Sequence, residues 1–360
     1  ARGCVRSRLE GGEGDTRHGD EVEALLTNEW LLGLDPVFVI DDASLTLVRD
    51  SIRQAAAGAG VANELAERAA LVASELGRNH LRHARAGRIA VRSITRGEHR
   101  GLELVAVDRG PGVLDMAAAI DALPRAVGTL GVGIGSVRRL SSEVDFDVRV
   151  GEGTHVRARF FDREAPRRRE VGIYGRPHED EKVSGDHARV HRADDALVLA
   201  VCDGLGHGPM ARDASMAAMH VFDQHHDESP SDILEACHRS LGDTRGVVMS
   251  VCRVCEDAGT VEISSVGNID VQVAAVRQVR RFGGSSAVVG ERGRTAMRVR
   301  TDRAPFGQSE LVVLTTDGIS SKLSIEHDLE LFRSHPIVVA QRIMERFARQ
   351  NDDALVLVAR

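Results

Sequence analysis

Four short acidic segments constrain this chain of 360 residues more than any other feature. In order they read VSGD at 183–186, VCDGLGHG at 201–208, LTTDGIS at 314–320 and NDDALVLV at 351–358. Each sets an aspartate at the end of an apolar, strand-like run, where a carboxylate can leave a sheet and face a shared cleft. An isolated Asp-Gly indicates only a turn. Four such segments together predict a site for divalent cations, because carboxylates are the hard oxygen ligands that Mg²⁺ and Mn²⁺ prefer.

The succession of SGD, DGLGHG, TTDG and DDA before a terminal strand resembles the SpoIIE-type metal-dependent Ser/Thr phosphatases, a branch of the PPM family, over about residues 168–360. The resemblance implies two Mn²⁺ or Mg²⁺ ions, with a bridging carboxylate at Asp203. The implied ligands are Asp186, Asp203, Asp317, Asp352 and the Gly204 carbonyl. Asp353 is the alternative for the last carboxylate. One departure is APFGQSE at 304–310, which replaces a glycine-rich turn of the family and leaves the shape of the substrate groove open.

His207 lies in the second acidic segment, close to Asp203 in sequence. A histidine there can donate a proton to the leaving serine oxygen after water attacks phosphorus in line. A solvated or hydrogen-bonded loop histidine is the alternative.

A second constellation lies in the first half of the chain. The segment SELGRNHLRHA at 74–84 follows an apolar run with helical spacing, so Glu75 and Asn79 fall four apart on one helical face. Such a pair suits a nucleotide site in which Asn79 completes a Mg²⁺ shell and Glu75 polarises an attacking hydroxyl. An exposed polar helix face is the alternative.

Glycine-rich segments follow downstream. In LELVAVDRGPGV at 102–113, Asp108 can accept from an adenine amino group, while Gly110 and Gly112 let the backbone lie against the ring. A glycine-rich turn that opens a helix, TLGVGIGSVRRL at 129–140, offers free N–H groups to phosphates. The segment EGTHVRARFF at 152–161 adds a Gly-Thr and a final strand.

In this order the segments resemble the N, G1 and G2 boxes of the GHKL ATP-binding fold, over about residues 36–162. The spacing is most similar to the RsbT and RsbW type of serine protein kinase, the anti-sigma-factor class. The resemblance implies a site for ATP and Mg²⁺ built by Glu75, Asn79, Asp108, Gly110, Gly112, Gly131, Gly133, Gly135 and Thr154. A sensor histidine kinase is not favoured, because His80 and His83 lie inside the N-box helix and no separate phosphoacceptor hairpin precedes it.

The predicted organisation has two α/β domains. We expect a flexible N-terminal extension at 1–35, a kinase domain at 36–162, a charged linker at 163–169 and a phosphatase domain at 170–360. The first domain should be a two-layer α/β sandwich of the GHKL type, with helices on one face of one sheet. The second should be a four-layer αββα sandwich of the PPM type.

Composition excludes several classes of function. A net charge of -7 and an aromatic content of 3% offer neither a basic field nor a stacking platform for nucleic acid. No run approaches the roughly 20 apolar residues that span a bilayer, and no signal peptide is recognisable. Five scattered cysteines fit reduced thiols. We therefore expect a cytoplasmic protein.

The two resemblances predict a bifunctional bacterial signalling regulator. Its ATP-dependent Ser/Thr kinase and its metal-dependent phosphatase would act on STAS-domain antagonist proteins in a partner-switching pathway, with a sigma factor or another output downstream. The alternative is a nucleotide-dependent sequestering domain, without kinase activity, fused to an active phosphatase.

Overall fold

The computed structural model describes residues 31, 33–121, 133–193, 196–291 and 297–360. The strands of its larger sheet are β1 (Val37–Val39), β2 (Gly87–Arg96), β3 (His99–Asp108), β4 (Glu143–Arg149), β5 (Gly153–Phe160), β6 (Val171–Arg176), β11 (Asp270–Ala275), β12 (Gln278–Phe282), β14 (Leu311–Thr315) and β15 (Ala354–Ala359). The smaller sheet contains β7 (Asp186–Arg192), β8 (Ala196–Gly204), β9 (Val247–Cys255), β10 (Thr260–Val266) and β13 (Arg300–Pro305). The α-helices of the described residues are α1 (Ser44–Ala59), α2 (Asn63–Asn79), α3 (Met116–Asp121), α4 (Gly133–Leu140), α5 (Pro209–His225), α6 (Pro230–Ser240) and α7 (Pro336–Phe347).

One continuous sheet runs through both halves of the chain. Its strand order is β1-β2-β3-β5-β4-β6-β15-β14-β11-β12. The halves meet where β4 pairs with β6 in parallel, from Phe146 opposite Gly172 to Arg149 opposite Gly175. The other pairings in this sheet are antiparallel. The sheet of the first half was expected to be separate from the two sheets of the second half, and the sequence carries no signal for this edge-to-edge pairing.

The two faces of the amino-terminal part of this sheet differ in chemistry. Apolar side chains such as Leu104, Phe146 and Ala158 face α1 and α2, whose own apolar residues recur at helical spacing. Helix α7, from the carboxy-terminal half, packs on the same layer, so one apolar core serves both halves. The opposite face carries charged side chains of β2, β3, β4 and β5, including buried Glu103 and Arg159.

The carboxy-terminal half has four layers. A core of aliphatic side chains fills the space between the smaller sheet and strands β6, β11, β14 and β15 of the larger one. A second core lies between the smaller sheet and helices α5 and α6. Helix α7 covers the far side, which gives the expected αββα order. Helix α6 begins where the Ser229 hydroxyl accepts from the Asp232 N–H, with Pro230 in the first turn.

The charged segment between the halves is packed against the molecule. The Arg168 backbone N–H donates to Glu143 at 2.7 Å, and its guanidinium donates to the Ala193 carbonyl at 2.7 Å. The Arg169 guanidinium lies 3.8 Å from the centre of the Phe306 ring. The end of the predicted linker therefore packs against both halves at Arg168 and Arg169, whereas positions 163, 164, 166 and 167 are exposed.

Of the predicted flexible extension, only residues 31 and 33–35 lie within the described part of the chain. Leu31 is buried against Ala90, Val105 and Val107 on the charged face of the sheet, and Leu34 packs beside it. This end of the segment is held by apolar burial. No helix in the described ranges is long and apolar enough to cross a membrane.

Candidate metal centre and nucleotide site

Two of the predicted metal-binding aspartates face each other across neighbouring strands. Asp186 begins β7 and is the register partner of Asp203 near the end of β8, so their side chains lie on the same face of the sheet. Asp186 is only 1% exposed, and its carboxylate accepts from the Thr316 hydroxyl at 2.7 Å. Gly204 follows directly. A Cβ on it would lie 2.1 Å from the Ala211 carbonyl oxygen, so helix α5 can pack here only against glycine.

The remaining acidic residues come from the larger sheet. Asp317 lies just after β14, and Asp352 and Asp353 lie just before β15, which pairs with β14. The Asp317 carboxylate accepts from the Asn268 side-chain amide at 3.0 Å. The Asp353 carboxylate accepts from the backbone N–H groups of His178 at 2.6 Å and Gly185 at 2.8 Å. Asp353 therefore ties two loops together, while half-buried Asp352 faces the other acids.

The electrostatics of these acids show that they share one rim. Burial and then the Asp203 charge raise the pKa of Asp186 well above its usual range. Burial, followed by Asp317, Asp352 and Asp353, raises the pKa of Asp203 to about 8. Burial and the charge of Asp317 also raise the pKa of Asp352. Burial is the largest cause of each shift, and the charge contributions that follow it indicate neighbouring carboxylates, whose repulsion a divalent cation would relieve.

The donor set fits Mg²⁺ or Mn²⁺ in chemistry, since it consists of carboxylate and carbonyl oxygens. Its geometry is looser than the sequence analysis expects. In the described part of the chain, no group of three or more His, Cys, Asp or Glu side chains is close enough together to hold a metal ion. Hydrogen bonds to Thr316 and Asn268 hold Asp186 and Asp317. Joint ligation therefore requires carboxylates to rotate towards one another.

His207 lies on the loop after β8. Its side chain is 60% exposed, and its Nδ1 lies 2.8 Å from a Glu181 carboxylate oxygen. The ring stacks on His178, with centroids 5.2 Å apart. This arrangement is the hydrogen-bonded loop histidine that the sequence analysis kept as the alternative, and the proton-donor role stays a prediction.

The predicted nucleotide residues gather at the end of α2 and the end of β3. Glu75 is 6% exposed, and its carboxylate accepts from the Gly133 N–H at 2.9 Å at the start of α4. Asn79 is half-buried one turn later. A π-helical turn, His80–Ala84, follows α2, and such turns are frequent at functional sites.

Asp108 ends β3 and pairs in register with Thr154 of β5. Its carboxylate accepts from the Gly110 N–H at 2.8 Å, and burial raises its pKa to about 6. Nε2 of His80 lies 3.7 Å away. Burial lowers the pKa of His80 to about 4, so its ring is neutral at pH 7 and the contact is not an ion pair.

Two glycines around Asp108 are required by close backbone approach. Gly112 has a φ of +77°, and a Cβ on it would lie 3.0 Å from the Arg149 carbonyl oxygen. Gly153 has a φ of +136°, and a Cβ there would lie 2.1 Å from the Asp108 carbonyl oxygen. Gly135 is buried in α4, where Gly133 is the first residue. Gly131 lies outside the described residues.

The hairpin between β4 and β5 contacts both sites. Its Gly151 N–H donates to the Pro111 carbonyl at 3.0 Å, beside Gly112. On the other side, the Glu152 carboxylate accepts from the Ser184 N–H at 3.1 Å and from the Arg212 guanidinium. Arg149 donates to the Asp186 carbonyl at 3.4 Å. The nucleotide segment and the first acidic segment are therefore joined through one turn.

Comparison with known families decides the classification. Residues 38–160 match the histidine kinase-like ATPase domain, and residues 193–360 match stage II sporulation protein E, SpoIIE. This chain fuses a histidine kinase-like ATPase domain to a SpoIIE-family domain. The order of the two matches agrees with the two resemblances drawn from the motifs. The first match nearly coincides with the expected 36–162, whereas the second begins at 193 rather than at about 168 and does not include Asp186.

Two curated relatives from Bacillus subtilis (strain 168) each match one of these domains. The phosphoserine phosphatase RsbX is 28% identical over 97 residues, which are 27% of this chain and 49% of RsbX. The serine/threonine-protein kinase RsbT is 34% identical over 85 residues, which are 24% of this chain and 64% of RsbT. This chain thus spans less than two thirds of the length of either relative.

A solved structure is also similar. It is a chain of the bacterial stressosome, described as a modular system that has been adapted to control secondary messenger signaling. The likeness has a TM-score of 0.50 and 30% identity, and it covers 54% of this chain and all of that one.

Several residues of the ATPase and SpoIIE domains were not singled out from the sequence. Thr316 lies inside the TTDG segment, so its position beside an aspartate was the available signal. The contacts of Asn268, Glu152 and Arg149 had no such signal, because they join positions 32 to 49 residues apart.

Residues 113–116, which lead into α3 of the ATPase domain, form hydrogen bonds with side chains from the second half of the chain. The Gln341 amide, on α7, donates to the Leu114 carbonyl at 2.8 Å and accepts from the Met116 N–H at 2.7 Å. The Tyr174 hydroxyl donates to the Val113 carbonyl at 3.2 Å. The segment that follows the Asp108 turn is therefore anchored across the fusion.

Proposed function

We propose that the SpoIIE domain is a metal-dependent phosphoserine and phosphothreonine protein phosphatase. The observation that carries this proposal is geometric: Asp186 and Asp203 lie opposite each other on β7 and β8, and Asp317 and Asp352 lie beside the paired ends of β14 and β15. The name of the relative RsbX, a phosphoserine phosphatase, supports the same reaction.

In this proposal Asp186, Asp203, Asp317, Asp352 and the Gly204 carbonyl hold two Mg²⁺ or Mn²⁺ ions. Such ions supply an activated water for in-line attack on phosphorus and neutralise charge on the phosphoryl oxygens. The chain's other residues position these ligands. Thr316 donates to Asp186, Asn268 donates to Asp317, and Asp353 fixes the loops that carry His178 and Gly185. His207 is exposed beside this rim and remains the proposed proton donor to the serine oxygen.

The ATPase domain, by the same proposal, binds ATP and Mg²⁺ and phosphorylates serine or threonine on a partner protein. Asp108 would accept from the adenine amino group, Asn79 would complete the Mg²⁺ shell, and the N–H groups before and within α4 would bind phosphates. Glu75 would polarise the attacking hydroxyl. The relative RsbT, named a serine/threonine-protein kinase, supports this assignment.

One observation favours the alternative in which this domain binds nucleotide and sequesters a partner without transferring phosphate. The Glu75 carboxylate is buried and accepts the Gly133 N–H. Kinase chemistry would require the second carboxylate oxygen of Glu75 to reach a substrate hydroxyl from this buried position.

The partners we propose are STAS-domain antagonist proteins of a bacterial partner-switching pathway, with a sigma factor or another output downstream, in the cytoplasm. A kinase and a phosphatase acting on the same residue would form a futile cycle. We therefore propose that they act on different partners, or that a bound partner selects one reaction.

The test uses the full chain, radiolabelled ATP and a STAS-domain protein in unmodified and phosphoserine forms. Asp203→Ala should lower Mn²⁺-dependent phosphate release by at least ~100-fold, whereas Asp227→Ala, at a surface position that is 82% exposed, should not change it. Glu75→Ala should abolish transfer of label. If no label is transferred by the wild type while labelled ATP still binds, the sequestering alternative replaces the kinase.

A further inference from the structure

A cavity of about 410 Å³ lies between the charged face of the ATPase sheet and the SpoIIE domain. Strands β2, β3 and β5 form one wall, and β7 with Asp223 of α5 forms another. This volume is that of a small-molecule site. It is separate from the acidic rim and from the Asp108 turn, none of whose residues line it.

The lining of this cavity is strongly cationic although the chain as a whole carries a net charge of -7. Seven arginines line it, against two carboxylates, Glu103 and Asp223. Two further acids beneath the wall, Glu143 and Asp145, pair with lining arginines. Positive charge therefore exceeds negative charge even when these buried acids are included.

Those carboxylates are already saturated with arginine donors. Glu103 accepts from Arg92 at 2.9 Å and from Arg159 at 2.8 Å. Asp145 accepts from Arg159 at 2.9 Å and from Arg192 at 2.9 Å.

Several guanidinium N–H groups in this wall still have no acceptor. Nη2 of Arg159, whose side chain is 4% exposed, is buried without a hydrogen-bond partner in the structure. The same is true of Nε and Nη1 of Arg192, and burial lowers the pKa of that guanidinium. A buried charged donor without an acceptor is costly, and native proteins normally satisfy it.

We propose that this cavity is a binding site for a small phosphate-bearing anion. A phosphate offers several oxygens to the planar forks of Arg159 and Arg192, and its two or more charges match the excess of arginine. Because the walls come from both halves of the chain, the bound anion bridges the ATPase sheet and the wall formed by β7 and Asp223. The proposal does not rest on either catalytic activity.

Ile94 provides a localised test. It lines the cavity on β2, two residues from both Arg92 and Arg96 on the same face of the strand. Ile94→Glu places a carboxylate among the arginines and supplies the anion from the chain itself. Ile94→Gln is the matched uncharged control.

The measurement is the thermal unfolding midpoint of the full chain in EDTA, with pyrophosphate as the probe, so that metal-dependent binding at the acidic rim is suppressed. At about 100 times the dissociation constant, the wild type and Ile94→Gln should both shift upwards by several degrees. Ile94→Glu should unfold at a higher temperature without the probe and should show no shift with it. A shift in Ile94→Glu equal to that of the wild type, or no shift in the wild type, would overturn the proposal.

Further measurements identify the class of anion that binds and control for misfolding of the variants. Adenosine monophosphate compared with pyrophosphate distinguishes a nucleotide from an inorganic source. Each response is taken as the shift in the wild type minus the shift in Ile94→Glu, which removes binding at the nucleotide site, and a zero difference for both probes would overturn the proposal. An equal response to citrate would overturn the phosphate assignment. Arg192→Gln should lower the affinity for pyrophosphate at least tenfold, while Arg303→Gln, at an arginine that is 72% exposed outside the cavity, should leave it unchanged. Retained affinity in Arg192→Gln would contradict the proposal.

Discussion

Asp352 and Asp353 are adjacent in the NDD segment, but they differ in burial and in hydrogen bonding. The Asp353 carboxylate is 4% exposed and accepts two backbone N–H groups from other loops. Asp352, one residue earlier, is half-buried and interacts with Asp317 through charge. We therefore propose that Asp353 supports the structure and that Asp352 is the metal ligand of the pair.

This division predicts opposite effects of two alanine substitutions. Asp353→Ala leaves the N–H groups of His178 and Gly185 without their acceptor and should lower the free energy of unfolding by about 1–3 kcal/mol. Asp352→Ala should leave stability within ~0.5 kcal/mol while removing phosphatase activity. Urea denaturation and phosphate release measure the two effects. Equal losses of stability would show that the division is wrong.

The burial of Asp108 and His80 predicts a particular pH dependence of stability. The folded protein raises the pKa of Asp108 from 3.8 to about 6, so its stabilising contribution is present at low pH and is lost as the pH rises towards 6. The pKa of buried His80 falls from 6.5 to about 4, so its contribution is present above pH 6.5 and is lost as the pH falls. The two effects oppose each other over the same range.

Removing one of these groups should reveal the other. Between pH 4 and 6.5, the free energy of unfolding should rise more in Asp108→Asn than in the wild type. The additional rise over that range should be about 2–3 kcal/mol. Urea unfolding at several pH values measures the slope. The prediction fails if the wild type and the variant have parallel profiles.

At the scale of elements, helix α7 of the SpoIIE domain also contacts the ATPase domain. The Gln341 side chain is 3% exposed and satisfies one carbonyl and one N–H of the segment that leads into α3. A helix of the SpoIIE domain therefore fixes the base of the segment that follows the Asp108 turn.

Loss of this side chain should loosen that segment locally. In Gln341→Ala the Met116 amide loses its acceptor, so its hydrogen exchange should accelerate by at least ~10-fold. Arg342→Ala, at the next and more exposed position, is the control. Unchanged exchange at Met116 would mean that the rest of the fold alone orders this segment.

The sequence predicted most elements because their apolar spacing is clear, and it failed where that spacing disappears. The apolar spacing at 87–96 predicts a strand, and β2 lies at Gly87–Arg96. Strands β12 and β13 have no such signal. They lie at the edges of their sheets and carry charged, exposed residues in QVRRF and RTDRAP, which have no apolar alternation.

The candidate sites show the same limit. Aspartates after strands and glycines at turns can be recognised locally, as Asp317 and Gly112 were. Asp186 was also recognised, but it begins β7, so the expected position at the end of a strand is wrong for this residue. Partners that arrive from distant segments, such as Gln341 for Met116 or Glu152 for Ser184, depend on tertiary packing and have no local pattern. The final positions of the carboxylates also depend on that packing.

At the scale of the whole molecule, the parallel pairing of β4 with β6 and the hairpin after β4 join the two sites. The turn contacts Pro111 beside the nucleotide segment and Ser184 beside Asp186. A structural change at one site that displaces this turn would therefore also displace residues at the other site.

Coupling through the turn should be measurable. A saturating non-hydrolysable ATP analogue should change the kcat/KM of the phosphatase by about 5-fold or more in the wild type, and by much less in Glu152→Ala. Glu262→Ala, on the distant strand β10, serves as the control. An equal nucleotide effect in Glu152→Ala would place the coupling elsewhere.

The shared sheet also bears on how copies of this protein can assemble. The edge of β4 that pairs in parallel with β6 can pair in the same way with β6 of another copy. Ten residues separate β5 from β6. At high concentration during folding, two copies can exchange their carboxy-terminal halves and reproduce each internal contact between chains. A domain-swapped dimer of this kind would keep both sites intact.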